Sequence, residues 1–229
     1  MKIATITKIE QLNPETKVLY LESREPLNFT GGNWILIRSN ILKENPKDEN
    51  DVLKRSYSIC SSDRNQNKFT LIVKLINPDH VSGYLHSLKE GDTIQFTGPY
   101  GKEFRWFEND PIGRYLFIAT HTGITAILGI MNSKFFSLKV NDFDLFWILP
   151  DADYNYFIPP EEIDNFIENI PSYEMEFSII PEDTNYFSQI SHLLKHYDGI
   201  FIAGKKDIIN EFEKRINKEK VLLRTEYFF

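Results

Sequence analysis

The first half of the chain moves in twos. "KIATITKI" at 2–9, "KVLYLES" at 17–23, "NWILIRS" at 33–39, "SYSICSS" at 56–62, "KFTLIVKLI" at 68–76 and "DTIQFTG" at 92–98 are short and rich in β-branched and aromatic residues, with turn residues between them. Six such runs with one helix-sized candidate among them predict an antiparallel β-barrel or sandwich. The candidate helix is "SGYLHSLK" at 82–89, with Ser82 as its cap and Tyr84, Leu85 and Leu88 on one face.

The rhythm changes after "DPIGR" at 110–114. "YLFIA" at 115–119 is continuously apolar, as a strand covered on both faces should be. An apolar segment at 124–131 follows, then "FDLFWIL" at 143–149, a helix-like "PPEEIDNFIENI" at 159–170 and "YEMEFSII" at 173–180. "YFSQISHLLKHY" at 186–197, "GIFIAG" at 199–204, "DIINEFEKRINK" at 207–218 and "VLLRTEYFF" at 221–229 complete the alternation. Pro159 and Pro160 suit a first helical turn, and Asp207 suits an N-cap. Strand–helix alternation of this kind predicts a parallel five-stranded sheet with helices on both faces. The expected division is therefore residues 1–108 as the barrel and 109–229 as the α/β domain.

Composition narrows the chemistry. The 229 residues are 41% apolar, enough for two ordinary cores. A net charge of −7 gives no global field for nucleic acid or an anionic membrane. Cys60 is the single cysteine, which excludes an internal disulfide framework and Cys-held zinc or iron–sulfur centres. The five histidines form no ligand set, so no metal is expected. The N-terminal "MKIATITKIE" lacks the apolar core of a signal peptide, no run reaches transmembrane length, and the expected location is the cytoplasm.

Within "RSYSICSS" at 55–62, a guanidinium, a phenol and a hydroxyl succeed one another on a strand. Each needs a polar partner, and a large ligand with phosphates and a polar ring would supply them. A barrel followed by a parallel sheet, with R-x-Y-S at Arg55, Ser56, Tyr57 and Ser58, resembles the ferredoxin/flavodoxin–NADP reductase family of bacterial type. The resemblance runs over essentially the whole chain. It implies an FAD-binding barrel, an NAD(P)-binding domain, NAD(P)H as substrate, and a ferredoxin or flavodoxin as electron partner. It also implies that Arg55 meets the flavin diphosphate, Tyr57 lies along the ring and Ser58 reaches toward the redox nitrogen. A guanidinium offers paired donors to phosphate, and a phenol offers a flat flank with a polar tip.

Further segments carry the likeness. Ile72, Val73 and Lys74 stand where the family turns backbone groups toward the flavin. Val81 and Ser82 in "DHVSGYLHSLKEGD" match a G-x-x-S segment whose helix start receives the diphosphate, though Asp79 replaces the glycine. "RTEYFF" resembles the aromatic tails of bacterial members, placing Phe228 on the isoalloxazine, Phe229 near the adenine and Glu226 as a tail carboxylate. On this reading Ser58 and Glu226 are the catalytic candidates.

The nicotinamide half departs from the pattern. "ATHTGITA" at 119–126 keeps Thr122 and Gly123 of the Gly-rich turn, but His121 and Ala126 replace a glycine and a proline. His121 itself reads as a surface or packing residue. "AGKKD" puts Ala203 and Gly204 where a cysteine–glycine pair normally faces the nicotinamide, and Lys205 and Lys206 read as a solvated pair or as partners of a phosphate. Asp151, Asp153, Glu182 and Asp183 are expected to repel a 2′-phosphate and so to favour NADH, or to leave nicotinamide binding poor altogether. Residues 205–224 hold five Lys and two Arg against four acidic side chains, the expected docking site for an acidic carrier. Two other readings stay open: an NAD(P)H-dependent flavin or quinone reductase, and a flavin-binding electron-transfer module with a degenerate nicotinamide site.

Overall fold

The computed structural model describes residues 1–149, 157–167, 176–182 and 184–228. The period-two runs become β1 (Lys2–Asn13), β2 (Thr16–Ser23), β3 (Trp34–Leu42), β4 (Val52–Ser58), β5 (Lys68–Lys74) and β6 (Thr93–Tyr100). They pair antiparallel in the order β4-β3-β6-β1-β2-β5. Just beyond β4, the Cys60 N–H donates to the Thr70 carbonyl at 3.1 Å and draws the two outer strands together into a barrel. Alternation turns Ile6, Leu19, Ile35, Ile37, Leu71, Val73 and Phe96 into one core. Helix α1 (Val81–Ser87) closes it with Val81 and Leu85, and Tyr84 and Leu88 pack alongside as expected.

Two local expectations need correction. The strand carrying Arg55 begins at Val52 and ends at Ser58, earlier than the run at 56–62 implied, because the chain then leaves β3 to meet Thr70. Ser82 does not cap α1; His80 holds that position without a side-chain bond. The Ser82 hydroxyl instead accepts from the N–H groups of Ile76 and Asn77 and donates to the Asn77 carbonyl.

The second lobe runs β7 (Gly113–Thr120), α2 (Ile124–Met131), α3 (Phe136–Lys139), β8 (Val140–Leu149), β9 (Glu176–Pro181), α4 (Tyr186–Ser191), β10 (Gly199–Lys205), α5 (Lys206–Glu213) and β11 (Leu222–Phe228). Its strands are parallel in the order β11-β10-β7-β8-β9. One face packs Phe117, Leu145 and Phe201 against α2, every residue of which is buried. The other packs Leu116, Ile148, Ile200 and Ile202 against Phe187 of α4 and Ile208, Ile209 and Phe212 of α5.

The run at 159–170 is not one α-helix. Its described part forms tight turns at Pro160–Glu162 and Asp164–Phe166, bonded three residues apart, and Ile167 is already extended. The run at 186–197 likewise divides into α4 and a turn at Leu194–His196. Asp207 lies in the first turn of α5 rather than at its cap, which is Lys205.

The lobes share a core. Val18, Cys60 and Ile72 of the barrel lobe belong to the same apolar cluster as α2 and the sheet. Between β6 and β7, Phe104 and Trp106 drive into it, their rings 5.5 and 4.7 Å from that of Phe201. Glycine is required where the backbones touch. A Cβ on Gly31 would lie 2.2 Å from the Gly129 carbonyl oxygen, and one on Gly129 would lie 2.4 Å from that of Ile59. Buried Asp63 then pins the seam, accepting from Gly31 N–H at 3.0 Å, Ser133 Oγ at 2.9 Å and Lys134 N–H at 2.8 Å.

Candidate active site

A cleft of about 590 Å³ opens at this seam, a size typical of small-molecule sites. On the barrel side, β4 pairs with β3 so that Tyr57 lies opposite Ile35 and Ser58 opposite Trp34. Arg55 and Ser56 are exposed, and Ser58 is buried. The Tyr57 ring rests against the barrel core, while its hydroxyl is buried with no hydrogen-bond partner among the described residues. Burial pushes that phenol up to about 12, with the Arg55 charge pulling the other way.

The opposite wall is β11, the edge strand of the sheet. Its alternation sends Thr225 and Tyr227 toward α5, where both hydroxyls meet Glu213 at 3.2 and 3.1 Å. Arg224, Glu226 and Phe228 fall on the other face. Arg224 pairs with Asp110 at 2.8 Å, and Phe228 packs on the shared core. Burial raises the Glu226 carboxyl to about 7, opposed by its hydrogen bond from the Trp34 indole. Trp34 is itself held by Tyr100, their ring centroids 4.7 Å apart.

Of the residues singled out from sequence, Arg55, Ser56, Tyr57, Ser58, Ile72, Lys74, Ser82, Thr122, Glu226 and Phe228 line this one cleft. Val73 and Val81 point into the barrel core, leaving only their backbone for a ligand. Gly123 and Gly204 serve packing: added Cβ atoms would lie 2.1 Å from the Ala203 carbonyl oxygen and 2.0 Å from Thr120 Oγ1. Gly204 also has φ +136°, a backbone requirement that glycine meets without strain. Ser82 reaches the cleft with its hydroxyl fully engaged, one proton donated and two accepted. Phe229, Asp151, Asp153 and Asp183 lie outside the described residues.

Sequence reasoning missed Trp34, Leu36, Lys54, Ile76, Thr125, Phe157 and Tyr227, which also line the cleft. Lys54 adjoins the R-x-Y-S run and was within reach of inspection. Trp34 was not, since its role depends on β3 pairing with β4 and facing β11.

The sheet side behaves differently. His121 has φ +50°, the left-handed region that its glycine counterpart would enter freely. Its Nε2 stands 2.6 Å from Glu182 Oε2, and its carbonyl accepts from Trp147 Nε1 at 2.7 Å. Lys205 is half-exposed and paired rather than freely solvated; its Nζ lies 2.8 and 3.1 Å from the two Glu182 oxygens. Burial, helped by the Lys205 and Lys74 charges, lowers His121 against the pull of Glu182. Burial alone would raise Glu182, but bonds from Lys205 and His121 bring it below the usual carboxylate range. Among the described residues no group of His, Cys, Asp and Glu could hold a metal ion. Nor is any helix among them long and apolar enough to cross a membrane.

Residues 3–106 match the family described as the oxidoreductase FAD-binding domain. Ferredoxin–NADP reductase B of Sorangium cellulosum is 30% identical over 155 residues, 66% of this chain and 58% of that protein. The chain is thus similar to ferredoxin–NADP reductases and carries a match to their FAD-binding domain. NADH–cytochrome b5 reductase 2 of Yarrowia lipolytica is 31% identical over 126 residues, 54% of this chain and 41% of that protein. The matches thus span about half the length of these curated relatives. The fold is also that of a solved ferredoxin–NADP+ reductase from Plasmodium falciparum, with TM-score 0.69 and 18% identity over 97% of this chain and 95% of that one.

The family's flavin suits the residues present. The Tyr57 ring with its orphaned hydroxyl and the Arg55 guanidinium line one wall of the cleft. A phenol suits a flavin ring and its polyol, and a guanidinium suits the diphosphate that follows them.

Proposed function

We propose that this chain is an FAD-dependent reductase that passes electrons between a nicotinamide dinucleotide and a one-electron carrier protein, a ferredoxin or flavodoxin. The observation that carries the reading is the Tyr57 hydroxyl, buried without a partner among the described residues in the cleft where the R-x-Y-S strand faces Glu226 and Phe228. A buried donor left unpaired costs about 1–3 kcal/mol, a cost that a ligand hydroxyl or carbonyl would offset.

Bound FAD would supply the redox chemistry, accepting an electron pair and releasing electrons singly. The chain's own residues hold and orient. Arg55 engages the diphosphate, Tyr57 flanks the ring and donates from its hydroxyl, and Ser58 offers a short hydroxyl that does not block access. Phe228, and Phe229 beyond it, cover the ligand from the tail side. Glu226, oriented by Trp34 and titrating near neutrality, holds a proton at its carboxyl beside the cleft. The acidic sequence at Asp151, Asp153 and Asp183 disfavours a 2′-phosphate, which makes NADH the preferred donor.

The His121–Glu182–Lys205 bridge favours a second reading, a flavin-binding electron-transfer module that no nicotinamide reduces. One experiment separates the two. Protein incubated with FAD and desalted should keep a flavin spectrum that bleaches in stopped flow, faster with NADH than with NADPH, and reoxidises on adding ferredoxin or flavodoxin. Retained flavin that neither nucleotide reduces would select the module. Failure to retain FAD would sink both.

A further inference from the structure

Three side chains lie across the carboxyl edge of the parallel sheet. His121 follows β7, Lys205 ends β10 and Glu182 follows β9. In the order β11-β10-β7-β8-β9 these positions start three strand steps apart, yet their polar atoms meet within 3.1 Å. The chain runs outward from β7 through β8 to β9 on one side, and from β10 to β11 on the other. Strand order therefore reverses between β7 and β10, and the crevice outside the carboxyl ends at such a point is where open α/β sheets bind ligands. The bridge lies over that crevice, and Thr122, next to His121, lines the cleft.

The bridge is built rather than incidental. His121 sits at φ +50°, a conformation few non-glycine residues adopt, held from beneath by Trp147 and from the side by Glu182. Lys205 is fixed at its backbone, where its N–H donates to Thr120 Oγ1 at 2.7 Å. Two donors, an imidazole and an ammonium, thus converge on one carboxylate. The side chains of His121, Lys205 and Glu182 stay 27%, 40% and 24% exposed, so solutes reach all three. Phosphate oxygens make the same demands on donors as carboxylate oxygens do.

We propose that His121 and Lys205 form an anion-binding pair, that Glu182 fills it in the free protein, and that the diphosphate of an incoming nicotinamide dinucleotide displaces Glu182. The proposal rests on the reductase reading above and adds the group with which the substrate must compete. Opening the bridge reduces the apparent affinity for every such nucleotide, because only the open fraction binds.

The test is calorimetric titration of FAD-loaded protein with NAD+, in wild type, Glu182→Gln and Lys205→Met. Gln keeps the shape and removes the competing charge, so Glu182→Gln should bind NAD+ about tenfold tighter, and Lys205→Met about tenfold weaker. Inorganic pyrophosphate should compete with NAD+ in wild type and lose that effect in Lys205→Met. Glu182→Gln binding no tighter than wild type, or pyrophosphate failing to compete at millimolar concentration, would overturn the exchange. Flavin absorbance before each titration separates the two levels. Absent FAD overturns the reductase reading itself, whereas bound FAD with unaltered nucleotide affinity overturns only the exchange.

Discussion

The two walls that meet at the seam treat their polar groups in opposite ways. On the barrel side the Tyr57 hydroxyl has no partner among the described residues; across the cleft, on β11, burial raises the Glu226 carboxyl to about 7 with the Trp34 indole beside it. On the sheet side His121, Glu182 and Lys205 satisfy one another, and Gly123 and Gly204 are filled by neighbouring backbone and Thr120. An unsatisfied buried group is tolerated where something else completes it. A closed set of three has to be opened before anything enters. The barrel wall is therefore poised for a resident cofactor, and the sheet wall for an exchangeable substrate.

The largest test of that contrast is Arg55→Ala. If Arg55 grips the resident diphosphate, losing its charge-assisted bonds, about 1.5–3 kcal/mol apiece, should weaken FAD binding on the order of 100-fold in a fluorescence-quenching titration. A change under threefold would move the diphosphate elsewhere. A smaller effect probes Glu226. Its carboxyl is raised in the fold, so its contribution to stability is fully present below about 4.5 and is lost as pH rises through about 7. Urea unfolding of FAD-free protein should accordingly show stability falling from pH 5 to pH 8, and Glu226→Gln should lessen the fall. The difference should be on the order of 1 kcal/mol after allowing for solvent screening. An identical pH slope in the variant would mean the carboxylate is ionised throughout, and Tyr57 alone would carry the contrast.

The smallest effect concerns neither wall. Lys218 pairs with Glu213 at only 3.5 Å, and Lys214 follows α5 on the same basic stretch. Lys214→Glu with Lys218→Glu should slow reduction of an acidic carrier severalfold at low salt, with the gap closing at high salt. Salt-independent, unchanged rates would reject this stretch as the docking surface.

Much of this is legible in the sequence. Period-two runs and a later strand–helix rhythm announce a barrel and a parallel sheet, because side-chain direction follows backbone repeat. Arg55, Tyr57 and Ser58 stood out as polar groups with no reason to be on an ordinary strand, and they do share one cleft with Glu226 and Phe228. The misses share a cause. Ser82 looked like a cap because serine precedes a helix, but the turn at Ile76 and Asn77 claims its hydroxyl first. Lys205 looked solvated because its neighbour is also lysine, but Glu182 is brought to it across three strand steps.

What the amino-acid order determined by itself is which residues form strands, which face each takes and which segments carry polar groups in need of partners. Those properties follow from periods of two and 3.6, which are local. Only the tertiary structure decided who the partners are: Trp34 for Glu226, Glu182 for His121 and Lys205, and none among the described residues for the Tyr57 hydroxyl. Such pairings depend on strand order and on how closely two lobes approach through Gly31 and Gly129, and no local period encodes either.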